Sequence, residues 1–153
     1  MANSYTQIHI QFVFAVKYRE AVIDHSWKAE LYKYITGIVQ NNNHKMIITN
    51  GMPDHLHLLV GVRPNQSISD LIRDVKANSS KWINEQKFCR QKFEWQDGYG
   101  AFSYGSSQIP KVINYIRNQE EHHKKHTFIE EYLGFLKVFE IDYDERYIFK
   151  ILE

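Results

Sequence analysis

Residues 44–62 read HKMIITNGMPDHLHLLVGV, and they contain two extended segments on either side of a turn. The Asn-Gly-Met-Pro-Asp segment at residues 50–54 is rich in turn-forming residues. We therefore predict a strand over residues 44–49, a four- or five-residue turn, and a second strand over residues 55–62. The two strands would pair as an antiparallel hairpin.

A further strand is predicted near the beginning of the chain, from Thr6 to Val16. Apolar and polar residues alternate there, so one face of the strand is apolar and the other is polar. The apolar face carries Ile8, Ile10, Phe12 and Phe14, and the polar face carries Gln7, His9 and Gln11. This pattern is typical of a strand that is buried on one side.

Four helices are predicted from apolar residues that recur at helical spacing. Their first residues are Ser26, Ser67 or Ser69, Pro110 and Phe128, and they end near Asn41, Ile83, Lys125 and Leu136. A strand over residues 99–104 and a flexible Gly-Ser-Ser connection at 105–107 precede the third helix, and an extended tail ends the chain.

The order strand, helix, strand, strand, helix, strand predicts an α+β fold of the ferredoxin-like (RRM-like) kind, with a helix that follows the fourth strand. In that topology the first and third strands are the two central strands of an antiparallel sheet. The polar face of the first strand would therefore lie beside the strand that begins at His55. We expect one domain over residues 1–153, which is an ordinary length for a single core.

Composition excludes some classes of function. The net charge is only +1, so any affinity for nucleic acid must come from local clusters of basic residues. The single cysteine can form no internal disulfide, which fits a reducing compartment. The chain contains no run of eighteen apolar residues and no export signal at its beginning, so we expect a cytoplasmic protein that does not enter a membrane.

The first candidate site is the histidine pair in Asp54-His55-Leu56-His57. Alternation along the strand places both imidazoles on one face, about 6.6 Å apart, which is close enough to hold one divalent ion. Such a pair alone is more often structural than catalytic, because a catalytic ion needs a third protein ligand and open positions for substrate.

The second candidate site lies on the predicted helix after residue 110. Tyr115, Gln119, His122 and His126 follow one another at spacings of four, three and four residues, so they share one edge of the helix. A tyrosine at helical spacing is ordinarily a packing residue with its hydroxyl at the rim. Likewise, His122 reads more readily as a solvated surface residue than as a catalytic one.

These motifs together resemble the HUH single-tyrosine transposases of insertion sequences. The resemblance rests on four stretches that span nearly the whole chain: Lys17-Tyr18-Arg19, residues 53–57, the helix from Lys76 to Trp82 with its paired serines, and residues 115–119. It implies that His55 and His57 are metal ligands, that Tyr115 is the nucleophile and that Gln119 is the third ligand. It further implies Mg²⁺ or Mn²⁺ as cofactor, single-stranded DNA with hairpin ends as substrate, and a homodimer with shared active sites.

The resemblance implies cleavage and rejoining of DNA strands through a 5′-phosphotyrosine intermediate. Basic residues predicted to contact the DNA are Lys17, Arg19, Arg73 and Lys76. A noncatalytic module that binds single-stranded RNA or DNA is an alternative, but it would need aromatic residues where the central strands carry Gln11, His55 and His57. A replication-type HUH nicking enzyme and a metal-assisted hydrolase are further alternatives that use the same histidines.

Overall fold

A four-stranded antiparallel sheet with helices on both faces forms the protein. The computed structural model describes residues 4–142, and the statements below refer to that part of the chain. The strands are β1 (His9–Ala15), β2 (Lys45–Met52), β3 (His55–Gly61) and β4 (Gly100–Tyr104). The α-helices are α1 (Lys28–Asn41), α2 (Ile68–Gln86), α3 (Ile109–Arg117), α4 (Gln119–His123) and α5 (Phe128–Val138).

The order of the strands across the sheet is β2-β3-β1-β4, with antiparallel pairing throughout. The strands β1 and β3 are therefore the central pair, as the ferredoxin-like topology predicted. In their register, Val13 lies opposite His57 and Ala15 lies opposite His55. The predicted α+β class and the predicted placement of the central strands are confirmed.

One face of the sheet holds the main hydrophobic core. The apolar side chains of β1 and β3 lie side by side on this face of the sheet, and α1 and α2 cover them. Fully or almost fully buried members of this core include Phe12, Phe14, Leu31, Ile35, Leu56, Leu58, Leu71 and Ile83. Burial of each such side chain stabilises the fold by roughly 1.5–3 kcal/mol. The helix α2 begins at the residue after Ser67, whose hydroxyl accepts a hydrogen bond from the backbone N–H of Asp70.

The other face of the sheet is covered by the three later helices. The helix α3 packs on Leu59 through Val112 and Ile116. The helix α5 packs on Val13 and Ala15, two apolar residues of β1 that follow Gln11 on the same face of the strand. This face therefore has two apolar patches with the histidine-bearing part of β3 between them.

The structure corrects the predicted turn of the hairpin. The strand β2 continues through the expected turn to Met52, which leaves only Pro53 and Asp54 as the loop. The reason is Gly51, because a Cβ atom at this position would lie 2.2 Å from the backbone oxygen of His55. Without a side chain, the two strands approach closely enough to pair up to the loop.

The predicted third helix was also too long. It is interrupted at Asn118, whose backbone angles of φ −98° and ψ 30° separate α3 from α4. The cause is not local: the side-chain amide of Asn50 in β2 donates hydrogen bonds to the carbonyls of Ile116 and Arg117, at 2.9 and 3.1 Å. These bonds satisfy the last carbonyls of α3 and tie that helix end to the sheet.

Two smaller corrections concern helix ends. Ser26 does not cap α1; its backbone N–H donates to Asp24, and the helix begins at Lys28. The helix α5 ends at Val138 instead of Leu136. The predicted extended tail falls mainly on residues 143–153, which lie outside the described residues.

The close approach at Gly51 gives a test of the hairpin. We expect Gly51→Ala to lower the free energy of unfolding by about 1–3 kcal/mol or more, because the new methyl group overlaps backbone atoms. Gly37→Ala in α1 is the matched control, since a Cβ there meets nothing within 4 Å. It should stabilise the helix by about 0.5–1 kcal/mol. Chemical denaturation measures both values, and equal effects of the two substitutions would contradict this account.

Candidate active site

The histidine pair lies on the covered face of β3, and both side chains are fully buried. The Nδ1 atom of His55 is 2.7 Å from a carboxylate oxygen of Asp54, and the Nδ1 atom of His57 is 2.9 Å from the amide nitrogen of Gln11. Each ring is therefore oriented by its own partner at the Nδ1 atom. The two Nε2 atoms both face the layer formed by α3, α4 and α5.

Gln119 reaches this pair from the first residue of α4. Its amide oxygen lies 3.3 Å from Nε2 of His55, and its side chain is fully buried. Tyr115 lies one turn earlier on α3, and its ring meets that of His57 edge to face with centroids 5.9 Å apart. The structure thus brings together four residues that the sequence singled out: His55, His57, Tyr115 and Gln119.

A carboxylate that the sequence analysis missed lies at the centre of this group. Glu131 on α5 is buried, and its Oε1 atom is 2.9 Å from Nε2 of His57 and 3.4 Å from Nε2 of His55. Its Oε2 atom accepts a hydrogen bond from the hydroxyl of Tyr115. A glutamate inside an amphipathic helix reads as a solvent-facing residue, so only the fold could reveal this position.

Two further histidines complete the cluster. The Nε2 atom of His123 lies 3.1 Å from the amide oxygen of Gln119 and 3.3 Å from Glu131. The Nε2 atom of His122 lies 3.2 Å from the hydroxyl of Tyr115. The side chain of His122 is 25% exposed, so this residue is less solvated than the sequence suggested. His123 was a weaker candidate than His122 in the sequence, although it follows Gln119 by four residues.

These side chains fit a divalent cation. One ligand atom from each of His55, His57, His123 and Glu131 lies within 4.8 Å of the others, which is a spacing that one ion can bridge. The Nδ1 partners of His55 and His57 fix the ring orientations, as hydrogen-bonded partners do in metal sites. Imidazole nitrogens bind Mn²⁺ and Zn²⁺ more tightly than Mg²⁺, whereas the oxygens of Glu131 and Gln119 suit Mg²⁺ and Mn²⁺.

The electrostatics of the cluster reflect burial and close charges. Burial alone would raise the pKa of Glu131, but hydrogen bonds from His123, His55 and His57 outweigh it and hold the pKa well below its usual range. Burial lowers the pKa of His57 despite the nearby carboxylate. Burial and the adjacent Glu131 charge both raise the pKa of Tyr115 well above its ordinary value, so the phenol keeps its proton in this arrangement.

Three of the four basic residues predicted to contact DNA have partners outside this cluster. Arg73 and Lys76 belong to α2, on the opposite face of the sheet; Arg73 pairs with Asp70, and the ammonium group of Lys76 donates to the carbonyls of Gln96 and Gly98. Lys17 pairs with Glu94 at 3.1 Å in a 3₁₀ turn that also contains Arg19. Their contacts with DNA stay predictions.

Comparisons with known proteins identify relatives of the chain. A family model described as "Transposase IS200 like" matches residues 4–119. ISDra2 transposase TnpA of Deinococcus radiodurans is 31% identical over 120 residues, which cover 75% of this chain and 86% of that protein. The transposase for insertion sequence element IS200 of Salmonella typhimurium is 25% identical over 130 residues, which cover 81% of this chain and 84% of that protein.

A solved structure shares the fold. It is a REP-associated tyrosine transposase bound to a REP hairpin, with a TM-score of 0.61 and 13% identity over 80% of this chain and 73% of that one. Among the described residues, no helix has the length and apolar character needed to cross a membrane. The match to the family model ends at Gln119, so α5 and its glutamate lie beyond the matched residues.

Replacement of a histidine at the centre of this cluster should weaken the binding of a divalent cation. We expect His57→Ala to weaken Mn²⁺ affinity by more than about 100-fold, because it removes a ligand and leaves a cavity between Gln11 and Glu131. His25→Ala is the control, since the His25 side chain is 72% exposed and lies outside the cluster. Calorimetric titration of the full chain measures both affinities. Unchanged binding in the His57 variant would show that the cation lies elsewhere.

The group behind His57 gives a finer test. Gln11 joins the Nδ1 atom of His57 to the hydroxyl of Tyr104, which donates to the Gln11 carbonyl at 2.8 Å. We expect Gln11→Leu to weaken Mn²⁺ binding by roughly 10- to 100-fold, because the imidazole loses the partner that orients it. Gln7→Leu, at an exposed position before β1, should leave the affinity unchanged. Equal affinities in the two variants would exclude an orienting role for Gln11.

Proposed function

Because the chain belongs to the IS200-like transposase family, we propose that it is a single-tyrosine transposase that cuts and rejoins single-stranded DNA through a covalent bond to Tyr115. One observation supports this assignment more than any other. The hydroxyl of Tyr115 lies in the same buried cluster as the imidazoles of His55 and His57 and the amide of Gln119. A packing tyrosine would have no reason to share a cluster of metal-ligand side chains.

The proposed reaction exchanges one phosphodiester bond for another. The phenolic oxygen of Tyr115 attacks the phosphorus, a new bond forms between that oxygen and the 5′-phosphate, and the bond to the 3′-oxygen breaks. The phenolic proton is lost, and the departing 3′-oxygen gains a proton to become a free hydroxyl. Attack by another strand's 3′-hydroxyl reverses these changes and joins the strands, so the sequence of steps needs no external energy source.

The side chains of the cluster have different roles in this reaction. A divalent cation, Mg²⁺ or Mn²⁺, held by His55, His57 and Gln119 would polarise the phosphate and stabilise the charge that develops on its oxygens. Asp54 and Gln11 keep the two imidazoles in place through their Nδ1 atoms. The end of α3 is fixed to the sheet by Asn50, which sets where Tyr115 stands relative to the histidines.

Membership of the family supports an inference about the substrate and the assembly. We infer that the DNA is single-stranded with hairpin ends. A REP-associated tyrosine transposase that shares the fold is bound to a REP hairpin. We also infer that the active protein is a cytoplasmic homodimer with shared active sites. A single strand suits a phosphate that must reach a site between a sheet face and a helix edge, because its bases can splay apart.

The covalent intermediate is the direct test of the proposal. With Mn²⁺ and labelled single-stranded DNA from the flanks of its own gene, the protein should form an adduct that resists denaturation. Tyr115→Phe should abolish it, because the attacking oxygen is gone. Tyr34→Phe is the control: its ring stacks on Trp82 with centroids 4.7 Å apart, far from the cluster.

Strand joining separates a transposase from a nicking enzyme. A second labelled strand with a free 3′-hydroxyl should be joined to the bound 5′-phosphate and release the protein. Cleavage without joining would favour a replication-type nicking enzyme instead. An adduct that persists in the Tyr115→Phe variant would refute the assignment of the nucleophile.

A further inference from the structure

Helix α5 covers the histidine pair of the proposed site, whereas Tyr115 stays partly exposed. The side chains of His55, His57 and Gln119 have no exposed surface, although a DNA phosphate would have to reach them. The cover is an aromatic and aliphatic one: the Phe128 ring stacks on His55 with centroids 4.2 Å apart and planes 23° apart. Further along the helix, Phe135 stacks on Phe102 at 4.9 Å. In this arrangement no DNA phosphate can reach the two imidazoles.

The carboxylate of Glu131 stands where a phosphate would be needed. One of its oxygens faces the two imidazole Nε2 atoms, at 2.9 and 3.4 Å, and the other accepts the hydrogen bond from Tyr115. A scissile phosphate must make the same two approaches, one oxygen toward the metal ligands and the phosphorus beside the phenol. Both groups are anionic and present two or more oxygens, so they compete for one position.

We propose that α5 is a displaceable plug: in the DNA-free protein Glu131 occupies the position of the scissile phosphate, and single-stranded DNA enters when α5 leaves the sheet face. This inference rests on the proposed function, since it concerns how the same site is opened. The family model matches residues 4–119, so α5 lies outside the matched residues.

The contacts of α5 are suited to release. Exchange of one anion for another keeps the surrounding imidazoles paired, so DNA replaces the polar contacts that Glu131 gives up. The segment between α4 and α5 consists of exposed, polar residues at 124–127, which can change course at little cost. At the far end of the helix, Val138 is 78% exposed and contributes little to holding it in place.

The charge of Glu131 can be removed with little change in shape. In a Tyr115→Phe background, where binding is not followed by cleavage, we expect Glu131→Gln to tighten the binding of a labelled single strand by roughly 10- to 100-fold in fluorescence anisotropy. Glu130→Gln is the matched control, because it removes the same charge from the same helix at an exposed position. It should leave the affinity within about twofold. Equal affinities of the two variants for the single strand would contradict the proposal that Glu131 occupies the phosphate position.

Adduct formation distinguishes a plug from a required catalytic group. With Tyr115 intact and saturating Mn²⁺ present, Glu131→Gln should form the phosphotyrosine adduct at least as fast as the unchanged protein, because His55, His57 and Gln119 hold the cation of the proposed reaction and Glu131 leaves the site when DNA binds. A loss comparable with that of His57→Ala would mean that Glu131 serves the reaction, and the plug would be rejected while the transposase assignment stands. If neither the unchanged protein nor any variant bound DNA or formed an adduct, both proposals would fall.

Hydrogen exchange gives a second readout. Addition of single-stranded DNA should speed exchange of the backbone amides of α5 by about tenfold or more, because the helix loses its contacts with the sheet. The amides of α2, on the opposite face, should not speed up. Slower exchange in α5 on DNA binding would show that the helix stays in place over the bound strand, which contradicts the proposal.

Discussion

The two buried imidazoles of His55 and His57 on the central strand β3 impose the main constraint on this structure. Polar groups out of reach of water must find partners within the protein, and each ring has two nitrogens to satisfy. The chain meets this requirement from four separate elements. Asp54 comes from the hairpin loop, Gln11 from β1, Gln119 from α4 and Glu131 from α5. The packing of α4 and α5 against the sheet places Gln119 and Glu131 beside the two rings.

The sheet divides two tasks between its faces. One face carries only apolar side chains toward α1 and α2, and its burial stabilises the fold. The other face combines apolar patches with the histidine cluster. Val13 and Ala15 on β1 hold α5, and Leu59 on β3 holds α3. Because the stability comes mostly from the first face, the second can keep a costly group of buried polar residues.

Local patterns were enough to predict part of the fold and of the site. Alternation along β3 placed His55 and His57 on one face, and a separation of four residues placed Gln119 near Tyr115. The break after α3 was not predictable, because Asn50 causes it from a strand more than sixty residues earlier in the chain. The buried position of Glu131 was equally unpredictable from the sequence. Its neighbours on α5 form an ordinary amphipathic helix, and only the docking of that helix decides which of its carboxylates is buried.

The contacts of the site span long stretches of sequence. His55 and Gln119 are 64 residues apart, and His57 and Glu131 are 74 residues apart, whereas the hairpin that holds the histidines closes over a two-residue loop. Contacts between distant residues form late, since the intervening chain must first be ordered. During synthesis the hairpin can therefore fold on the ribosome long before Tyr115 emerges. A nascent chain that ends before Tyr115 therefore has no reactive site. The last histidine of the cluster is His123, and Glu131, which occupies the site, follows it after only eight residues.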